Sequence, residues 1–208
     1  LLKSYGCYIV IYIPSHHQTR PPMYEGLPTI EAHRNASLTA ILSEAKMLGC
    51  DEVCFGDAYC SEEEIRYATR FDCGIIKVPV ILKKDLSEET MGQLLKVHRN
   101  RLDETDYFVR SSVRGDGIKP FNTIARHVKD VTIDNELFLR YQGEVCIMKQ
   151  SIEADERVNV VGKCNCSEFL INNIKPGTKF KLVVDEVITK DAIIAIDAGG
   201  TKTKAALI

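Results

Sequence analysis

Apolar and polar positions change their period partway along the chain. "CYIVIYIP" (residues 7–14) is an unbroken apolar, β-branched run of the kind buried on both faces of a parallel sheet, and Pro14 ends it. The long polar loop "SHHQTRPPMYEGLPTIEAHRN" follows. Ser37 then stands as a cap before "LTAILSEAKMLG", where Leu38, Ile41, Leu42, Ala45 and Leu48 keep helical spacing and Gly49 suits a C-cap. "DEVCFGD" predicts a second buried strand. "SEEEIRYATRF" opens a second helix with Ser61 and Glu64 in capping-box spacing. Strand, loop, helix, strand, helix is the order of a parallel α/β fold.

From Gly74 the period shortens. "IIKVPVIL", "DYFVRSS", "DVTID", "GEVCIMK", "RVNVVGK" and "FKLVVDEV" are short strand-like runs with turn residues between them, and only "SEETMGQLLKVHRN" reads as helix. A series of strands after an alternating segment predicts a separate, mostly β domain, closed or sandwiched. From about Asp191 the pattern is strand, Gly-Gly turn, strand.

Composition narrows the function classes. With 45% hydrophobic and 27% charged residues the chain is an ordinary globular protein. No apolar stretch reaches the ~18 to 20 residues that span a bilayer, so no membrane partner is expected. The net charge of −2 is made of interspersed signs, which leaves no basic face for nucleic acid. The eight cysteines form no CxxC pair, and "CNC" (Cys164, Cys166) is too short for a four-ligand zinc site. They read as free thiols of a reducing cytoplasm, with no metal.

Five spaced blocks, "YEGLPTIEAHR", "FGDAYCSEEE", "HRNRLDETDYFVRSS", "DVTIDNELFLRYQGE" and "RVNVVG", resemble the 6-phospho-N-acetylmuramidase family of glycoside hydrolases, from about Tyr5 to Val187. The resemblance implies an α/β plus all-β fold. Residues 1–73 would be the last two βα units of a TIM-type barrel, with "CYIVIYIP" as strand 7 and "DEVCFGD" as strand 8, and residues 74–188 a cyclophilin-like β-barrel domain. It also implies removal of 6-phospho-N-acetylmuramic acid from a phosphorylated amino-sugar disaccharide derived from the cell wall, without a cofactor. Six barrel strands would then lie outside this sequence, so the activity is expected of a longer parent and not of this fragment. The tail, residues 189–208, resembles the first phosphate motif of actin-like N-acetylglucosamine and N-acetylmuramic acid kinases. That implies a truncated β-hairpin in which Asp197 positions Mg²⁺ and Gly199, Gly200, Thr201 and Lys202 approach the phosphates of Mg-ATP. The two resemblances together imply a hydrolase fused to a kinase in one recycling pathway. The alternatives are a kinase with accessory upstream domains and a non-catalytic carbohydrate-binding protein.

Candidate site residues follow from barrel geometry and from the substrate's charge. Catalytic groups of TIM-type barrels lie at the C-terminal ends of strands, where Asp57 stands. Glycoside hydrolysis needs a second carboxyl, for which the preceding loop offers Glu25 ahead of Glu31. The 6-phosphate calls for arginine forks, and Arg20, Arg101 and Arg110 are the candidates. The helix opening "SEEE" is discounted for phosphate because its carboxylates repel a dianion. Tyr141 and Glu144 in "RYQGE" are expected to face the sugar. His16 and His17 read as solvated, and Lys129 stands where the resemblance leads us to expect glycine.

Overall fold

The computed structural model describes residues 2–185, together with the backbone of residues 194–196 and 205–207. Strand β1 (Val10–Ile13), helix α1 (Leu38–Leu48), strand β2 (Glu52–Phe55) and helix α2 (Glu62–Thr69) form the first unit, with β1 and β2 parallel and Val10 opposite Glu52. Local chemistry marks the helix ends. The Ser37 hydroxyl accepts the Ala40 N–H and α1 ends at Gly49, while Ser61 and Glu64 complete a reciprocal capping box on α2.

The two strands are less buried than their apolar runs predict. In β1, Ile11 and Ile13 pack on Ile41 and Ala45 of α1, but Val10 and Tyr12 on the opposite face are exposed. In β2, Glu52 is exposed and Val53, Cys54 and Phe55 are half-buried. The cause is that, among the described residues, each strand pairs only with the other and α1 covers one face. No eight-stranded barrel is present among those residues.

The larger unit is a curled sheet made of β3 (Ile76–Leu82), β4 (Val97–Arg99), β5 (Phe108–Arg110), β6 (Asp130–Asp134), β7 (Val145–Met148), β8 (Val158–Cys164) and β9 (Lys179–Val184). Its strand order is β4-β9-β3-β8-β6-β7-β5, antiparallel throughout except for β3 beside β9. The two edges of the sheet meet. Asn100 bridges Ser111, the Arg101 N–H donates to the Arg110 carbonyl and the Ser112 N–H to the Arg99 carbonyl, each at 2.9 Å. Joining edges in this way removes the unpaired groups that an open sheet exposes. Val78, Val109, Ile133, Ile147, Phe180 and Leu182 form the centre of the enclosed core, and Cys164 and Cys166 lie in it as buried thiols.

Helix α3 (Glu88–Leu94) is shorter than its sequence pattern, because "VHR" leaves the helix to become β4. Tertiary pairing overrides the helical reading here. Val97 lies opposite Lys181, and His98 is buried with its ring stacked on Phe180 and its two nitrogens engaged with the Ser111 hydroxyl and the Leu94 carbonyl. Burial in turn holds this imidazole below the usual histidine range. Helix α4 (Glu168–Asn172) went unread in the sequence, being too short to show a period, although Ser167 caps it. Helix α1 is also tied to the sheet. Ser43 exchanges hydrogen bonds with the Lys77 main chain, and buried Glu44 accepts from the Ser167 hydroxyl and meets His33 at 2.9 Å.

Residues 194–196 and 205–207 pair antiparallel, as the strand, turn, strand pattern of the tail predicts. The motif residues Asp197, Gly199, Gly200, Thr201 and Lys202 lie outside the described residues.

Candidate functional site

The expected site residues gather in two places. The first is the loop side of β1 and β2, where Asp57 follows the end of β2. Its Oδ2 accepts the Ser15 N–H at 2.9 Å and its Oδ1 accepts the Arg20 N–H at 2.8 Å, so the carboxylate pins both ends of the segment after β1. Arg20 is present here through its main chain, and its side chain is exposed. Glu64 adds a second anchor, accepting from the Ser15 hydroxyl and the His16 N–H. Burial works to raise the Glu64 carboxyl, but these bonds and those from Ser61 outweigh it and hold the group below the usual range. Gly56 lets the loop cross closely over β2, since a Cβ there would stand 2.5 Å from the Leu27 carbonyl oxygen.

Glu25 is exposed, and the neighbouring Gly26 lies against Asp57. What holds this segment is Arg34, which the sequence reading did not single out. Its Nη1 donates to the Glu25 and Gly26 carbonyls at 2.7 and 3.0 Å, and its Nε and Nη2 fork onto Glu31 at 2.6 and 2.7 Å. Glu31 is thus engaged by an arginine and held below the usual carboxylate range by that bond.

The second place is where the sheet edges meet. Glu144, just before β7, has a side chain 0% exposed. It accepts from Arg110 Nε at 2.5 Å, Arg114 Nε at 2.8 Å and Arg101 Nη1 at 3.4 Å. A buried carboxylate must be paired, and here it is paired several times over. The local geometry depends on Gly143. With φ of 79°, it packs so tightly on the Gly115 backbone that a Cβ would come within 2.4 Å of the Gly115 nitrogen. Tyr141 presents its ring to Arg110, Arg114 and Arg140, whose guanidinium carbons lie 5.0, 5.2 and 4.8 Å from the ring centre. Arg140 also donates to the Tyr141 hydroxyl at 2.6 Å, and Arg101 to Asp103 at 2.7 Å.

The structure therefore joins Arg101, Arg110, Tyr141 and Glu144 and adds Arg114 and Arg140 to them. Glu144 and Tyr141, expected to face a sugar, both contact arginines, and among the described residues guanidinium groups are the side-chain partners of this buried carboxylate. Arg114 lies four residues after Arg110, but a strand-and-loop segment gives that spacing no predictive meaning. Among the described residues, Arg110 and Arg114 use only Nε, and their terminal amines make no hydrogen bond. The cluster has more positive than negative charge and open donors, which is what an anion requires.

Comparison with known proteins bears on both places. A crystal structure of an uncharacterized B. cereus protein is 28% identical with a TM-score of 0.73, covering 88% of this chain and 55% of that one. A crystal structure of a conserved Enterococcus faecalis protein of unknown function is 30% identical with a TM-score of 0.65, covering 88% and 52%. The chain thus spans about half the length of these solved relatives. No curated protein matches the sequence. The family model described as 6-phospho-N-acetylmuramidase, N-terminal, matches residues 1–70, and the one described as 6-phospho-N-acetylmuramidase, C-terminal, matches residues 76–183. With matches to both parts, the chain belongs to the 6-phospho-N-acetylmuramidase family.

Proposed function

We propose that the protein carrying this chain is a glycoside hydrolase that removes 6-phospho-N-acetylmuramic acid from a cell-wall-derived disaccharide, with the arginines around Glu144 binding the 6-phosphate. The observation that carries this reading is the cluster itself, in a chain whose family is named for a phosphorylated sugar. Arg101, Arg110, Arg114 and Arg140 converge on one buried carboxylate and one tyrosine ring. Guanidinium forks match phosphate oxygens, and arginines already fixed by Glu144 and Tyr141 lose little freedom when a ligand arrives.

Asp57 and Glu25 are the proposed carboxyl pair that glycoside hydrolysis requires. Asp57, with a main-chain N–H on each oxygen, suits a group that accepts throughout, the nucleophile or base. Glu25, exposed and with no side-chain hydrogen bond among the described residues, suits the proton donor. The reaction calls on no cofactor. On the sequence resemblance alone, we extend the proposal to cytoplasmic peptidoglycan recycling and to a fused amino-sugar kinase whose start is residues 189–208, with "DAGGTKT" as its first phosphate motif, and which uses Mg-ATP.

The test compares hydrolysis of phosphorylated and unphosphorylated muramyl disaccharides. Arg114→Ala should reduce the preference for the phosphorylated substrate by roughly tenfold, the loss of one charge-assisted contact. Asp57→Asn should lower kcat by ~100-fold or more without changing that preference. An unchanged preference in Arg114→Ala overturns the phosphate assignment, and undiminished turnover in Asp57→Asn removes that residue from the chemistry.

A further inference from the structure

Val109, Val131, Ile133, Val145 and Ile147 face the core of the curled sheet, so the residues that alternate with them turn the other way. Phe108 and Arg110 on β5, Thr132 and Asp134 on β6, and Cys146 and Met148 on β7 line a cavity of about 160 Å³, closed by Arg126, Phe138 and Asp155. Its charged walls are mostly satisfied. Arg126 Nε and Nη2 donate to the Glu153 carbonyl at 3.1 and 2.6 Å, and Asp155 takes a fork from Arg157 at 2.9 and 2.7 Å. Arg110 donates to Glu144.

Asp134 is different. It is only 5% exposed, it lines the cavity, and its carboxyl has no hydrogen-bond or ion-pair partner among the described residues. Its oxygens are open to the cavity rather than sealed in the core, so the carboxyl presents free hydrogen-bonding positions to whatever fills that space. Two features connect this cavity to the phosphate-binding reading. Arg110 belongs both to the cavity wall and to the Glu144 cluster, and Phe138 also lines an open pocket of about 370 Å³ with Arg140 and Tyr141.

We propose that the cavity is a sugar subsite in which Asp134 hydrogen-bonds a hydroxyl or acetamide group of an amino sugar whose 6-phosphate rests on the neighbouring arginines. The inference rests on the phosphate reading of the cluster. The walls suit the ligand, since Phe108, Phe138 and Met148 offer apolar surface to the C–H face of a sugar while Asp134 and Thr132 offer polar contacts. The volume admits one substituted ring or part of one, well below the ~300 to 1,000 Å³ of pockets for drug-sized ligands. Burial raises the Asp134 carboxyl to about 7, so near neutrality it can donate a hydrogen bond as well as accept one.

Calorimetric titration of the wild-type protein, Asp134→Asn and Asp134→Ala with inorganic phosphate and with N-acetylmuramic acid 6-phosphate tests this. The wild type should bind the sugar phosphate at least ~10-fold more tightly than phosphate, and Asp134→Ala should lose most of that gain. Phosphate should bind all the proteins equally, which also reports that the cluster is intact in the variants. No gain in the wild type, or a gain that survives in both variants, overturns the subsite. If phosphate fails to bind while the sugar phosphate still separates wild type from variant, the cluster reading falls and the Asp134 subsite stands.

Discussion

A carboxyl closed off from water binds its proton more tightly, and Asp134 carries this furthest among the described acids. Burial is the main cause of its rise from 3.8 to about 7. Arg110 and Arg126 oppose that rise, while Glu144 and Asp155 add to it. The folded protein therefore holds a proton that the unfolded chain releases near pH 4. The associated stability is complete below that pH and is lost as pH rises toward 7. Asp134→Asn removes the titration. Urea midpoints of variant and wild type should agree near pH 4, diverge up to about pH 7 with the variant more stable by a few kcal/mol at most, and run parallel above it. A constant difference across that range would show that the group does not titrate there. The sequence made Asp134 visible only as part of a strand, because nothing local marks which face of that strand meets a cavity. Arg101 and Arg110 could be named from residue type and substrate charge, whereas Arg114 and Arg140 became visible only through their shared partners.

Turns and helix ends, at the scale of elements, follow local rules that a sequence displays. Ser37, Ser61 and Gly49 mark α1 and α2 because a cap is a hydrogen bond made within three or four residues. Lys129 illustrates the same legibility through a departure from the expected residue. It stands where glycine was expected, and it adopts φ of 75° in the turn that opens β6, donating to the Met148 carbonyl while its own carbonyl accepts from Cys164. A non-glycine residue in that conformation costs about 1–2 kcal/mol, partly offset because glycine makes the unfolded chain more flexible. Lys129→Gly should thus raise stability by about 0.5–1 kcal/mol in thermal or urea unfolding. A decrease would mean that the lysine side chain contributes more than its backbone strain costs. Element identity was less legible where pairing decided it. "VHR" continues a helical pattern, but Phe180 and Ser111 capture His98 and make the segment a strand.

For the whole molecule, the decisive feature is that the curled sheet joins its own edges, and Asn100 sits at the join. Its Nδ2 donates to the Ile174 carbonyl at 2.9 Å and its Oδ1 accepts the Arg110 N–H at 3.1 Å. Asn100→Ala leaves both main-chain groups without these partners and should cost about 2–3 kcal/mol. Amide exchange should accelerate first at Arg110 and Ser111. If protection there is unchanged while stability falls, the loss lies elsewhere in the fold. By itself the sequence determined the α/β order of the first unit, the capped helices and most strand positions, because periodicity and caps are written in neighbouring residues. Only the tertiary structure decided which strands are half-exposed, where the sheet closes and what Glu144 does. Its three arginine partners lie 30 to 43 residues away along the chain, and the curl of the sheet alone brings them onto one carboxylate.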